Sequence, residues 1–259
     1  MMTNLLDNPL VLSALFYPRA AIRNEKPRDN LYDGAIPVAD GVELGYRLHA
    51  VPDAKAVVLY FHGNGENAAD YDCFAPDYRQ SGASLLVVDY RGYGWSTGEP
   101  SVSALLADVG PVVEALPGIL EHAGIVHQAP IVMGRSLGSA CAIEAADRYP
   151  DQFHGLILES AFAHAIPLLV RLGLPARVLE GLPDPIQNLS KIARIRLPLL
   201  VIHGMRDSVI PVDNGQLLYN ASPAALKFLE LIPAAGHNDL LLYGIDRYFS
   251  AIARLIAAV

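Results

Sequence analysis

The sequence predicts an α/β fold: a mostly parallel central sheet with helices on both faces and a short cap segment. Apolar runs such as Ala56–Phe61 and Ser84–Asp89 are nearly unbroken, as strands buried on both faces require. They alternate with stretches that carry helix caps and helical spacing. Ser136, Asp207 and His237 each fall just past the end of such a run. In an open parallel sheet that edge is where sites form.

Taken in order, the chain opens on Leu5, Leu6 and the apolar stretch Pro9–Phe16. No basic region precedes it, Asp7 interrupts its start, and it is too short to span a bilayer. It reads as an amphipathic helix folded onto the domain, within an N-terminal extension of about residues 1–35. Contact with a membrane surface is the alternative reading. Ile36–His49, with Asp40-Gly41 at its middle, reads as a β-hairpin. Ala56–Phe61 and Ser84–Asp89 are the next strands, and Glu66–Ser81 between them is helical in part, broken at Pro76. Ser101–Ala123 is a long helical region capped by Ser101 and interrupted by Pro111 and Pro117. A strand from Ala129 to Met133 runs into Gly134–Gly138 and a small-residue helix. Leu156–Glu159, Leu197–Gly204 and Leu226–Ile232 are further strands, with a helix after Pro211 and a last helix over Asp239–Ala257.

Residues 162–195 stand apart. They hold Pro167, Pro175, Pro183 and Pro185 among Ile166, Leu168, Leu169, Leu172 and Leu174, and exceed what one crossover needs. A small lid above the site and a crossover helix plus loop are both open readings. The 259 residues form one domain with a substantial core.

Composition narrows the partners. Hydrophobic residues make up 52% of the chain and charged ones 18%, with a formal net charge of −8. No basic surface is in excess, which argues against a nucleic-acid partner. Cys73 and Cys141, far apart, read as two buried free thiols of a reducing compartment, so a cytoplasmic protein is expected. No metal-ligand spacing occurs among the 8 histidines.

Gly134-Arg135-Ser136-Leu137-Gly138 is G-x-S-x-G between strand and helix. A serine on such a sharp turn is strained and pushed out above the sheet, and small flanking residues let strand and helix approach. Ser136 is the candidate nucleophile. An acid and then a histidine must follow, and Asp207 and His237 do, in the order of the α/β-hydrolase fold. Asp207 is preferred as acid over Glu159 and Asp239 because it follows the penultimate strand, beside the strand that leads to His237. It would fix the imidazole tautomer and stabilise the imidazolium. Oxyanion donors are expected from the N–H of Leu137, at the helix start, and from the His62-Gly63-Asn64-Gly65 turn at Asn64. His62 and His203 end strands and are expected to bond turn backbones. Asp89 and Arg91 are expected to pin the glycine-rich loop that follows, and Tyr93, Trp95 and Phe162 are candidate pocket walls.

A rival comes from another class. Gly63-x-Gly65-x-x-Ala68 after a strand, with Asp89 ending the next, imitates a dinucleotide-binding fingerprint and an oxidoreductase. It leaves Ser136, Asp207 and His237 unexplained, and Pro76 falls in the helix it should open.

Together His62–Asn67, Asp89–Gly94, Gly134–Gly138, His203-Gly204 with Asp207, and Gly236–Asp239 resemble the Bem46-like α/β-hydrolases. That group includes the animal α/β-hydrolase domain-containing proteins 13 and 17, and the likeness runs from about Val57 to the C-terminus. The resemblance implies a serine-hydrolase fold with a small cap, the nucleophile at Ser136, acid at Asp207, base at His237 and oxyanion donors at Asn64 and Leu137. Domain-17 members remove palmitoyl groups from proteins, so a depalmitoylating thioesterase is an alternative. The expected reaction is hydrolysis of a small-molecule carboxylic ester or thioester through an acyl-enzyme, with no metal or organic cofactor. Because 162–195 is short, the expected pocket is open and suits short to medium acyl groups.

Overall fold

The computed structural model describes residues 7–259 except 26, 27, 29, 180, 182 and 183. Leu5, Leu6 and Pro183 therefore lie outside the described residues. The strands are β1 (Leu31–Ala39), β2 (Val42–His49), β3 (Ala56–Phe61), β4 (Ala83–Val88), β5 (Ala129–Arg135), β6 (Gly155–Glu159), β7 (Leu199–Gly204) and β8 (Lys227–Ile232). They form one sheet in the order β1-β2-β4-β3-β5-β6-β7-β8. β1 and β2 are the expected hairpin, turning at Gly41 with φ +69°. β2 joins β4 antiparallel, and every later pairing is parallel. The C-terminal ends of β3 to β8 thus share one edge, where Asn64, Ser136, Asp207 and His237 leave the sheet.

The period of two explains the unbroken apolar runs. In β3, Val57, Leu59 and Phe61 enter one core, while Ala56, Val58 and Tyr60 enter the core on the opposite face. The helices are α1 (Pro9–Leu15), α2 (Ala75–Gln80), α3 (Val102–Ala107), α4 (Val109–His122), α5 (Gly138–Arg148), α6 (Ala165–Arg171), α7 (Ala176–Leu179), α8 (Asn188–Ile192), α9 (Asp213–Ala221) and α10 (Leu240–Ile256). α4, α5 and α9 cover the first core, and α2 and α10 the second. Val102–His122 is long and apolar enough to cross a bilayer, but its stripe of Val109, Val112, Leu116 and Leu120 is buried in the core.

Several local expectations change. Pro76 does not break α2; it sits in the first turn, where its missing N–H costs nothing, and so opens the helix. Ser101 caps α3 through the Ala104 N–H at 3.0 Å, and the break with α4 comes at Asp108. Pro117 is carried within α4. Cys141 is buried as expected, but Cys73 is exposed because the turn before α2 lies at the surface. Among the described residues of 162–195 lie three short helices, α6 to α8, and α6 packs against α1. α1 buries Val11 and Leu15 in the core, so it folds onto the domain.

Candidate active site

β5 ends at Arg135, and Ser136 turns the chain into α5 with φ +50°, a left-handed conformation that a serine rarely adopts. The elbow is held by the Ser136 N–H, which donates to the Glu159 carbonyl at 2.9 Å, and by the Ser139 hydroxyl, which donates to the Ser136 carbonyl at 2.6 Å. Only glycine fits on either side. A Cβ on Gly134 would strike the Gly138 carbonyl, and one on Gly138 the Phe61 carbonyl.

The three residues expected from the sequence come together. Ser136 Oγ lies 3.0 Å from His237 Nε2, and His237 Nδ1 lies 2.7 Å from Asp207 Oδ2. A carboxylate only accepts, so the proton sits on Nδ1 and Nε2 faces the serine hydroxyl as acceptor. Asp207 is fixed by the N–H groups of Val209 and Ile210 at 2.9 and 2.7 Å. His203 Nε2 donates to the Ile210 carbonyl at 2.8 Å and stands 3.4 Å from Asp207 Oδ2. Burial by itself would raise the Asp207 carboxyl; the bonds from His203, His237 and Ile210 outweigh it and hold the group well below the usual carboxylate range. The competing acids are occupied elsewhere: Asp239 accepts the Gly236 N–H at 2.6 Å, and Glu159 accepts the hydroxyls of Tyr60 and Tyr248.

Asn64 and Leu137 line the same crevice of about 190 Å³ as Ser136 and His237. Among the described residues neither backbone N–H meets an acceptor. Leu15, Leu168, Leu172 and Val209 supply its apolar walls. The N-terminal segment therefore matters to the site more than its sequence indicates: Leu15 walls it, and the Tyr17 N–H donates to Asn64 Oδ1 at 2.7 Å.

The pocket-wall expectations need correction. Tyr93 is wholly buried behind the Asn64 turn, where its hydroxyl donates to Asn64 Oδ1 at 2.7 Å. Trp95 lies over the hairpin, with Nε1 donating to the Gly34 carbonyl at 2.8 Å and the Arg47 guanidinium 5.4 Å from its ring. The reason is topological, since β4 lies beside β2 and its loop falls across the hairpin instead of the sheet centre. Phe162 is 1% exposed and sits beneath the crevice, in a recess that shares Leu168 and Val209 with it.

The dinucleotide reading fails on Asp89. Its carboxylate is wholly buried, accepts the Ala68 N–H at 2.9 Å and leaves no room for a Cβ on Gly94, so no ribose hydroxyl reaches it. Arg91 pins its loop to Asp108 at 2.6 Å. His62 Nδ1 meets the Gly63 carbonyl at 2.8 Å, a turn bond as expected.

Sequence reasoning missed a centre built on Arg135. Parallel register sets Arg135 opposite Glu159, and Nε reaches Glu159 Oε1 at 3.1 Å. Nη1 pairs with Glu66, while Nη2 donates to the His237 carbonyl and to Asn238 Oδ1, both at 2.9 Å. Tyr71 donates to Glu66 Oε2 at 2.7 Å, and Gly63 N–H does the same at 2.7 Å. Burial would raise the Glu66 carboxyl, but the Arg135 charge and the Tyr71 hydroxyl lower it below its ordinary value. The available signal was a charged residue at the end of an otherwise apolar strand.

Comparison with known proteins gives the family and the fold. A family model described as serine aminopeptidase, S33 matches residues 52–185. Protein bem46 of Schizosaccharomyces pombe is 31% identical over 212 residues, 80% of this chain and 69% of that protein. The α/β-hydrolase domain-containing protein 17B of Xenopus laevis is 30% identical over 211 residues, 81% of this chain and 69% of that protein. The chain spans 56% of the Caenorhabditis elegans α/β-hydrolase domain-containing protein aho-3, at 29% identity. A Pyrococcus furiosus esterase superposes with TM-score 0.72 at 19% identity, covering 93% of this chain and 98% of the esterase. Fold, sheet order and sequence kinship agree: the chain belongs to the α/β-hydrolase family and, within it, stands with the Bem46 and domain-17 proteins.

Proposed function

We propose that this hydrolase cleaves carboxylic esters or thioesters through a serine acyl-enzyme. The observation that carries the reading is the unbroken chain Ser136 Oγ, His237, Asp207 at 3.0 and 2.7 Å. Ser136 Oγ attacks the acyl carbonyl carbon as Nε2 of His237 takes the hydroxyl proton. Negative charge collects on the former carbonyl oxygen, where the unclaimed N–H groups of Asn64 and Leu137 stabilise it without reorganising. The imidazolium, steadied by the ionised Asp207, returns the proton to the leaving group as the C–O or C–S bond breaks. A water then repeats the sequence on the acyl-enzyme.

The crevice beside Ser136 sets acyl length. At about 190 Å³ it falls below the roughly 300–1,000 Å³ of sites that enclose drug-sized ligands. Each buried methylene contributes about 0.8 kcal/mol, so binding gains end after a short to medium chain. The test is labelling with a fluorophosphonate and turnover of p-nitrophenyl esters. Label on Ser136 and loss of turnover in Ser136→Ala support the reading; wild-type turnover in that variant sinks it. A kcat/KM series rising through palmitoyl, strongest for thioesters, would replace it with a depalmitoylase.

A further inference from the structure

A second crevice, of about 610 Å³, also borders His237. The two share Arg135, His237 and Asn238 as walls. Its volume falls in the range of small-molecule sites, whereas the crevice beside the serine is well below it. Much of its lining is aromatic: Tyr71, Phe74, Tyr78, Tyr248 and Phe249. Its lip is apolar. α10 breaks helical geometry at Gly244, where a Cβ would meet Ile232 at 2.8 Å, and the turn before the break presents Leu241 and the 78% exposed Leu242.

We infer that this crevice is the leaving-group subsite, and that it takes a bulky aromatic alcohol carrying no negative charge. The inference rests on the acyl-enzyme reading above. His237 must hand its proton to the leaving oxygen, so that oxygen lies against the imidazole, and His237 lines both crevices. With the acyl group in the smaller space, the rest of the substrate has the larger one. Charge then narrows its chemistry. Four carboxylates, Glu66, Asp70, Glu159 and Asp239, line the crevice; Asp70 is paired with Arg19 at 2.7 Å from outside it, and the other three face one guanidinium. That guanidinium is already spent on Glu66, Glu159, the His237 carbonyl and Asn238. Among the described residues that line it, no cation is left unpaired to receive a phosphate or carboxylate, and a like charge in a low-dielectric cleft is repelled. The aromatic faces favour flat apolar rings and tolerate a cation. Coenzyme A thioesters, with several phosphates, are thereby excluded as good substrates.

The test keeps one acyl group and varies the alcohol. Turnover of ethyl butyrate, 2-naphthyl butyrate, its 6-sulfonate and a trimethylammonium-phenyl butyrate is measured. The expected result is KM at least tenfold lower for the naphthyl than for the ethyl ester, with the sulfonate at least tenfold worse than its parent. Ile245→Trp, at the 40% exposed rim, and Leu241→Trp narrow the crevice without touching the triad. Each should raise KM for the naphthyl ester while leaving ethyl butyrate unchanged. Equal KM values across the series, or a variant that harms both esters alike, overturn the subsite. Calorimetric binding of 2-naphthyl butyrate to Ser136→Ala provides a readout without turnover: no heat there, in a protein whose wild-type form labels at Ser136, sinks the subsite alone. A wild-type protein unlabelled at Ser136 sinks the acyl-enzyme reading and the subsite with it.

Discussion

Arg135 grips His237 by its backbone: the guanidinium donates to the histidine's own carbonyl at 2.9 Å, while Ser136, next in the chain, meets the imidazole at 3.0 Å. The nucleophile elbow and the histidine loop are thus registered against each other through backbone and side chain together. Glu66 and Glu159 hold the guanidinium from behind, and both carboxylates are themselves fixed by tyrosine hydroxyls. Arg135→Met should therefore act twice. It leaves two carboxylates in a largely buried site without their cation, an expected loss of about 3–5 kcal/mol in stability. It also frees the histidine loop, and a misplacement near 1 Å costs on the order of 10²-fold in kcat. Arg135→Lys keeps the charge but not the fork, so it should recover most of the melting temperature and little of kcat. Thermal melts beside ester kinetics separate the two; equal recovery of both would mean the arginine is only structural.

Asp207→Asn tests the acid directly. An amide facing His237 Nδ1 can present its NH₂ group and turn the imidazole to the wrong tautomer, so kcat should fall by roughly 10⁴ with the fold intact. The same exchange at Asp239 should change kcat less than threefold, because that carboxylate serves the Gly236 N–H. A comparable loss at Asp239 would reassign the acid.

How far the chain could be read follows from which forces are local. The buried strands announce themselves because both faces of β3 to β7 are covered, leaving no polar alternation to confuse them. Ser136, Asp207 and His237 are legible because each follows a strand end and their order is fixed by the sheet. Arg135 was not, since its partners arrive from β6, from the turn after β3 and from the histidine loop. Only the parallel register of β5 and β6 brings Arg135 opposite Glu159. Trp95 misled for the same reason: its loop is aromatic and glycine-rich wherever it lies, and strand order alone sends it over the hairpin.

Acid should reveal the two depressed carboxyls. Glu66 and Asp207 both titrate below their ordinary values in the folded chain. Each therefore stabilises the fold above its unfolded value, near 4, and that contribution drains away as pH falls through the folded value. Glu66→Gln should be less stable than wild type at pH 7, with the gap closing as pH falls below the ordinary glutamate value and through the folded one. Urea unfolding at pH 7, 4.5 and 3 measures this; a gap that does not change with pH would mean Glu66 titrates normally.

The cysteines should differ in reach. Cys73 is exposed, while Cys141 is buried and its thiol is pushed up by that burial, with the charges of Asp108 and Glu144 adding to it. Only thiolate reacts, so an aromatic disulfide reagent should titrate one thiol in the native protein and two in denaturant. Alkylating Cys73 should leave ester turnover intact, since it lies on the turn before α2 and lines neither crevice.

Tyr93 is best tested as a support for the Asn64 turn. Its hydroxyl accepts the Tyr17 N–H at 2.8 Å and donates to Asn64 Oδ1 at 2.7 Å, so it ties the end of α1 to the loop that would supply an oxyanion donor. Burial pushes the phenol up to about 12, which keeps it a donor throughout the range where the enzyme would be assayed. Tyr93→Phe removes one of the two bonds to Asn64 Oδ1 and leaves the bond from Tyr17 in place. A hydrogen bond of this kind contributes about 1 kcal/mol, so the fold should survive with a small drop in melting temperature. The N–H of Asn64 would act on charge that exists only in the transition state, so looseness in the turn should lower kcat, on the order of tenfold, and spare KM. A variant that raises KM with kcat unchanged would instead place Tyr93 on the substrate. No inflection below about pH 11 should distinguish the pH profiles of the two proteins, because the phenol does not ionise there.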